Sequence, residues 1–183
     1  MDEDLTLHEL RRLEAQRKLH TIPQLILETA WVREAQIEAV IDALLAATVD
    51  GDAKAYARAR QVGEWSARIA AALPLGTDAQ LARRVGVLAN VNSCVLERIP
   101  ELQHIAPYAR AYQSRAALTH DCYRTMVTIV TVADYFESRL VRAIDHGGGV
   151  ASVIDSMSSS CDPAVLDALR TCVGANKRNR VAS

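Results

Sequence analysis

The stretch DCYRTMVTIVTVADYFESRLVRAI at residues 121–144 decides the fold class of this chain. Its apolar residues are nearly continuous from Met126 to Val141 and fit the spacing of a helix. The β-branched residues among them would also suit a strand, but strands usually have only about five or six residues. We therefore predict one long helix that is buried over most of its surface.

The sequence on both sides of this stretch has the pattern of further helices. Capping residues followed by apolar residues three and four positions apart predict helices, with caps expected at Thr77 and, before Pro163, at Asp162. Aspartate, glycine and proline turns separate these helices. No hairpin signal is present. We predict an all-α bundle of seven to eight helices, divided into an N-terminal helical segment at 1–48, a domain at 49–173 and a disordered basic tail at 174–183.

Composition narrows the function classes. The 183 residues include 21 Lys and Arg against 22 Asp and Glu, so the excess of positive charge typical of nucleic-acid-binding proteins is missing. No apolar run reaches the roughly 18 residues of a membrane span, and no secretory leader is recognisable. The four cysteines form no C-x-x-C pair. We expect a cytoplasmic protein that binds neither nucleic acid nor membrane and carries no cofactor, metal or disulfide framework.

Three stretches, taken in order, resemble a known family. They are DAKAYARARQV at 52–62, LARRVGVLANVNSC at 81–94, and IVTVADYFES at 129–138 followed by CDPAVLDAL at 161–169. Their order is similar to that of the HD superfamily, in particular the HD-GYP branch of bacterial cyclic-di-GMP phosphodiesterases. The resemblance covers roughly residues 50–172 and implies an HD-domain-like bundle.

The resemblance also implies that the chemistry of the family is lost. In the family, a first histidine, an HD pair and a later aspartate bind metal ions that activate water against a phosphodiester. Here Arg58 stands at the position of the first histidine, Asn90 and Val91 replace the HD pair, and Cys94 replaces a lysine. Only Asp134 matches. We expect no catalytic residue and a vestigial pocket in which Arg58 pairs with Asp134.

A second histidine–aspartate pair lies elsewhere, at His120 and Asp121. It is about thirty residues beyond the position of the HD motif, and it directly precedes the long apolar stretch. Asp121 there suits a helix start, where a carboxylate is favoured by the helix dipole. We interpret the pair as a helix start. An alternative left open is a metal site formed by His104, His120 and Asp134.

Three functions follow from these patterns. The first is a catalytically inactive HD domain that acts as a regulatory or protein-interaction module in bacterial signalling. Its partner, another protein or a second copy of the chain, would bind the N-terminal helices at 1–48. The second is a non-hydrolysing sensor of a nucleotide or small anion, which would use the vacated pocket near Arg58, Asn90, Asn92 and Asp134. The third is an unconventional metal-dependent phosphohydrolase.

Overall fold

The computed structural model describes residues 29–74, 76–114, 121–145 and 148–181. Within these ranges the chain forms eight α-helices and one short 3-10 helix and no strand, so the predicted all-α bundle is confirmed. The helices are α1 (29–48), α2 (Ala53–Ala72), α3 (Ala79–Leu88), α4 (Ser93–Leu96), the 3-10 helix (Pro100–Leu102), α5 (Ala106–Ser114), α6 (Asp121–Asp145), α7 (Val150–Met157) and α8 (Pro163–Val181).

By its contacts the chain divides into two compact units, with the division between Asp42 and Ala43. In the described part of the first unit the chain is helical, and Trp31 and Val32 are 76% and 58% exposed. In the second unit the last turn of α1 buries Leu45. The division therefore falls inside a helix, whereas the predicted N-terminal segment ended at residue 48.

Aspartate side chains cap the N-termini of three of the described helices. The Asp52 carboxylate accepts hydrogen bonds from the N–H groups of the first turn of α2, and Asp162 does the same before Pro163 in α8, as the sequence predicted. At α3 the cap is Asp78. The expected cap at Thr77 is therefore wrong by one residue, because it is the Asp78 carboxylate that accepts from the second and third N–H groups of this helix.

The predicted long buried helix is α6, and it is the centre of the second unit. It contacts α2, α3, α5, α7 and α8. Its residues at helical spacing are buried to 4% exposure or less, namely Met126, Ile129, Val130, Val132, Ala133 and Phe136. A polar side chain on the packed faces of α6 must border a cavity or find a partner within the bundle, whereas Arg142 and Asp145 near the end of the helix are exposed.

Helices α2 and α3 cross at two glycines. A Cβ atom built on Gly63 would lie 2.4 Å from Val87 Cγ2 and 2.8 Å from the Arg83 carbonyl oxygen. One built on Gly86 would lie 2.9 Å from Gly63 Cα and 2.7 Å from Ser66 Oγ. No side chain fits between the two backbones at this point, so the crossing fixes how closely α2 approaches α3.

The end of the chain differs from the predicted disordered tail at 174–183. Helix α8 continues to Val181. None of the described helices combines the length and hydropathy that a membrane span requires.

Candidate functional site

The predicted ion pair between α2 and α6 is present. Arg58 lies in the second turn of α2, and its Nη2 donates to Asp134 Oδ1 over 2.7 Å. The second carboxylate oxygen, Oδ2, accepts a hydrogen bond of 2.8 Å from the Tyr112 hydroxyl on α5. The Arg58 side chain is 50% exposed and that of Asp134 is 24% exposed. The carboxylate thus connects three helices, and each of its oxygens has a donor.

Two turns further along α2 and one turn further along α6, a second polar contact is buried. Trp65 Nε1 donates to Glu137 Oε2 over 3.1 Å, and the Trp65 ring meets Phe136 edge to face at 4.9 Å between centroids. Burial raises the pKa of Glu137 above its ordinary value of 4.5; the Trp65 hydrogen bond and the Arg58 charge oppose this rise, and the Asp134 charge adds to it. Glu137 therefore belongs to the same electrostatic environment as the ion pair.

The residues at the position of the HD pair face different surroundings. Asn90 is exposed at the end of α3 and borders the same cavity as the ion pair. Val91 is buried in the core at 2% exposure. The side-chain amide of Gln113 donates to the carbonyls of Ala89 and Val91, over 2.8 and 2.7 Å, and so attaches this turn to α5.

Cys94 does not join the site. It is exposed in the single turn of α4, and its N–H group donates to Asn92 Oδ1 over 2.9 Å. It is not among the residues that border the cavity. The structure therefore brings together three members of the predicted pocket, Arg58, Asn90 and Asp134, and leaves Val91 and Cys94 outside it.

The cavity beside the ion pair is open to solvent and has a volume of about 960 Å³. One wall is a row of hydroxyl groups on α6, formed by Thr128, Thr131, Tyr135 and Ser138. The remaining border includes Arg58, Asn90, Ala111, Tyr112, Gln113, Val127, Val132, Asp134, Ser160, Cys161 and Asp162. Such a volume lies within the range of about 300 to 1,000 Å³ of small-molecule sites.

The alternative metal trio lies only partly within the described residues. His104 is exposed in the turn after the 3-10 helix and does not border the cavity, while His120 lies outside the described residues. Asp121 is the first residue of α6, in agreement with the interpretation of this pair as a helix start. In the described part of the chain, no group of three or more His, Cys, Asp or Glu side chains could hold a metal ion.

The donor set around Asp134 does not fit the metal centre that the resemblance implies. A catalytic metal ion needs several acceptor atoms that converge on one point. Around Asp134 the neighbouring groups are a guanidinium and a phenol, both of which donate hydrogen bonds to the carboxylate. A positive charge already lies where a cation would have to bind, so we derive no reaction step through a metal.

Sequence reasoning missed several residues of this site. Tyr112 and Gln113 lie in a stretch that the sequence leaves without a clear pattern, and Trp65 and Glu137 are separated by 72 positions. The hydroxyl row had a visible signal, because Thr128, Thr131, Tyr135 and Ser138 recur at spacings of three and four along an apolar helix. Polar residues at that spacing define one face of the helix.

Comparison of the chain with models of known protein families, with curated proteins and with solved structures finds no match. The resemblance to the HD-GYP family therefore rests on the sequence stretches alone and stays a prediction.

Proposed function

We propose that this protein is a non-catalytic regulatory module with an HD-like fold, in which an ion pair takes the place of a metal centre. The observation that carries the proposal is the arrangement of Arg58, Asp134 and Tyr112. Asp134 is the only residue of the family's ligand set that the sequence retains. Both of its oxygens are engaged by hydrogen-bond donors.

The chemistry of this arrangement supports regulation over hydrolysis. A metal-dependent phosphodiesterase needs a cation that lowers the pKa of a bound water molecule to near neutrality. A guanidinium has five N–H donors and no acceptor atom, so it can neither activate water as a metal ion does nor act as a general base. The role left for the Asp134 carboxylate is to connect α2, α5 and α6 through the hydrogen bonds that it accepts.

The regulatory partner that we propose is another protein or a second copy of the chain, bound in bacterial signalling through the N-terminal helical segment. The support for this surface is the exposure of two large apolar side chains, Trp31 and Val32, on the described part of that segment. Aromatic side chains are enriched at the centres of protein interfaces.

An activity assay tests this proposal. The purified full chain is incubated with Mn²⁺, Fe²⁺ or Zn²⁺ and with bis(4-nitrophenyl) phosphate or a cyclic dinucleotide, beside the Asp134→Asn variant. We expect the two proteins to have the same background rate. Turnover by the wild type that disappears in Asp134→Asn would show that the ion pair opens to form a working site, and the proposal would be wrong.

The cavity favours a second candidate function, the binding of a small molecule without hydrolysis. Its volume suits a ligand, and it lies directly against the ion pair that joins three helices. A ligand that contacts this region would therefore change how α2, α5 and α6 pack against one another. A sensor requires such a ligand-dependent change.

A further inference from the structure

We infer that the cavity binds an uncharged compound with a hydroxylated ring, the chemistry shared by sugars and nucleosides, and that it disfavours phosphates. The inference rests on the second candidate function and specifies its ligand. It departs from the nucleotide or small anion expected from the sequence, and it depends on two properties of the cavity wall, its charge and the direction of its hydrogen bonds.

The charges that border the cavity are already compensated. They are one guanidinium, Arg58, and two carboxylates, Asp134 and Asp162. Arg58 pairs with Asp134. Asp162 accepts from the N–H groups of Ala164 and Val165 and lies at the N-terminus of α8, where the helix dipole favours its charge. Among the described residues that border the cavity, no other cation is present to neutralise a phosphate, and the two carboxylates would repel it.

Two hydroxyls of the row, those of Thr131 and Ser138, present acceptors to the cavity, whereas the Tyr135 oxygen already accepts from the Arg139 guanidinium. Thr131 Oγ1 donates its hydrogen to the Val127 carbonyl over 2.7 Å, and Ser138 Oγ donates to the Tyr135 carbonyl over 3.0 Å. The Tyr112 hydroxyl likewise donates to Asp134. Because each hydroxyl has one hydrogen and two lone pairs, the Thr131 and Ser138 oxygens can now only accept.

An acceptor wall selects its ligand by hydrogen-bond polarity. The hydroxyl groups of a sugar ring donate, and several of them on one ring match a row of acceptors that recurs along a helix. A phosphate ester offers only acceptor oxygens at its charged end, so oxygen would face oxygen without a hydrogen between them. A ligand amine would also donate, but its charge finds no uncompensated carboxylate in this wall.

Other residues on the border of the cavity carry amide and aromatic groups. The side-chain amides of Asn90 and Gln113 and the ring of Tyr112 border the cavity from α3 and α5. Both hydrogen bonds of the Gln113 amide nitrogen go to backbone carbonyls, which fixes the position of this side chain before any ligand binds. A fixed amide and an aromatic side chain on the border of the same cavity suit contact with a flat or hydroxylated ring.

Calorimetric titration of the full chain tests the inference with four probes. These are ribose and adenosine as uncharged hydroxylated rings, adenosine monophosphate as the phosphate, and spermidine as the cation. We expect adenosine or ribose to bind and adenosine monophosphate to bind at least roughly tenfold more weakly than adenosine. Binding of ribose as tightly as adenosine identifies the sugar ring as the recognised part, and a preference for adenosine identifies the nucleoside.

Removal of single hydroxyls assigns the binding to the row. Thr131→Val and Ser138→Ala should each weaken adenosine binding roughly five- to tenfold, the value of one hydrogen bond. Thr171→Val is the matched control, because Thr171 Oγ1 makes the same bond to a carbonyl four residues before it, on α8 away from the cavity. It should bind adenosine like the wild type, and circular dichroism checks that all three variants stay folded.

Three results would overturn the inference. They are tighter binding of adenosine monophosphate or spermidine than of adenosine, no heat of binding from any of the four probes, and an equal loss of affinity in Thr171→Val and Thr131→Val. None of these three results would indicate that the protein has phosphodiesterase activity. Conversely, metal-dependent turnover would overturn the proposed function and leave the ligand result unchanged.

Discussion

Helix α2 has two regions that differ in almost every physical respect. In its middle, Gly63 meets Gly86 of α3 so closely that no further atom fits. Near its start, Arg58 meets Asp134 of α6 at the border of an open cavity, with half of the arginine side chain exposed. The crossing is uncharged and closed, whereas the ion pair is charged and open.

This difference separates the residues that maintain the bundle from those that carry its chemistry. A larger side chain at the crossing has to move the backbone of α2 or α3, because protein interiors are close-packed. A change at the ion pair replaces groups that already touch solvent, where single charged interactions contribute little to stability. A bundle of this kind can therefore exchange the residues of its site and keep its fold, which is the history that we propose for Arg58 and Asn90.

The largest effect is expected from an added methyl group at the crossing. Gly63→Ala places a Cβ 2.4 Å from Val87 Cγ2 and 2.8 Å from a carbonyl oxygen, so α2 and α3 must separate. Overpacking of this kind costs about 1–3 kcal/mol or more, measured as the free energy of unfolding in urea. Gly174→Ala on α8 is the control, because nothing lies within 4 Å of its Cβ, and it should not destabilise the protein. Equal stabilities of the two variants would contradict a closed crossing.

The next effect concerns the buried hydrogen bond beside the ion pair. Trp65→Phe keeps an aromatic ring against Phe136 but removes the Nε1–H group that donates to Glu137. A buried carboxylate without its donor costs about 1–3 kcal/mol, again in urea unfolding. The double variant Trp65→Phe with Glu137→Leu serves as a comparison, since it removes the unsatisfied carboxylate together with its donor. The double variant should recover part of the stability that Trp65→Phe loses, and a further loss of the same size would contradict this prediction.

A pH dependence should accompany Glu137. Burial raises its pKa in the folded state above 4.5, so the folded protein holds this proton more tightly than the unfolded chain. The contribution of the residue to stability is therefore complete below pH 4.5 and decreases as pH rises toward the folded pKa. Glu137→Gln removes this titration. The free energy of unfolding of the wild type, relative to that of the variant, should fall as pH rises through this window, and a difference independent of pH would contradict the prediction.

The smallest effect is expected at the ion pair itself. A double-mutant cycle with Arg58→Gln and Asp134→Asn should give a coupling energy of about 1 kcal/mol or less, because the guanidinium is half exposed. The pair of Arg170 and Asp167 on α8 has the same distance of 2.7 Å but a 71% exposed carboxylate, and its coupling should be smaller still. A coupling several times larger than 1 kcal/mol would show that the site contributes to the bundle as strongly as the crossing does.

The sequence predicts what depends on local pattern. Helix α6 and the Asp162 cap follow from apolar spacing and from an aspartate before a proline, and both are present. The Arg58–Asp134 pair followed from the family resemblance, which supplied a contact between residues 76 positions apart. Such a contact has no local signal of its own.

The residues that were missed depend on tertiary geometry. Gly63 and Gly86 look like weak points in two helices until their backbones are placed against each other. Tyr112 and Gln113 acquire their roles only because α5 brings them to α6 and to the turn after α3. Hydrogen bonds between distant elements are fixed by the packing of those elements, which a single sequence does not specify.

Titration of the full chain with Mn²⁺, followed by electron paramagnetic resonance, tests the central claim most directly. The claim is that Arg58 and Tyr112 occupy the carboxylate that would bind a metal ion. We predict that the wild type and Asp134→Asn bind Mn²⁺ equally weakly and without fixed stoichiometry. One tightly bound Mn²⁺ per chain, lost in Asp134→Asn, would contradict the account.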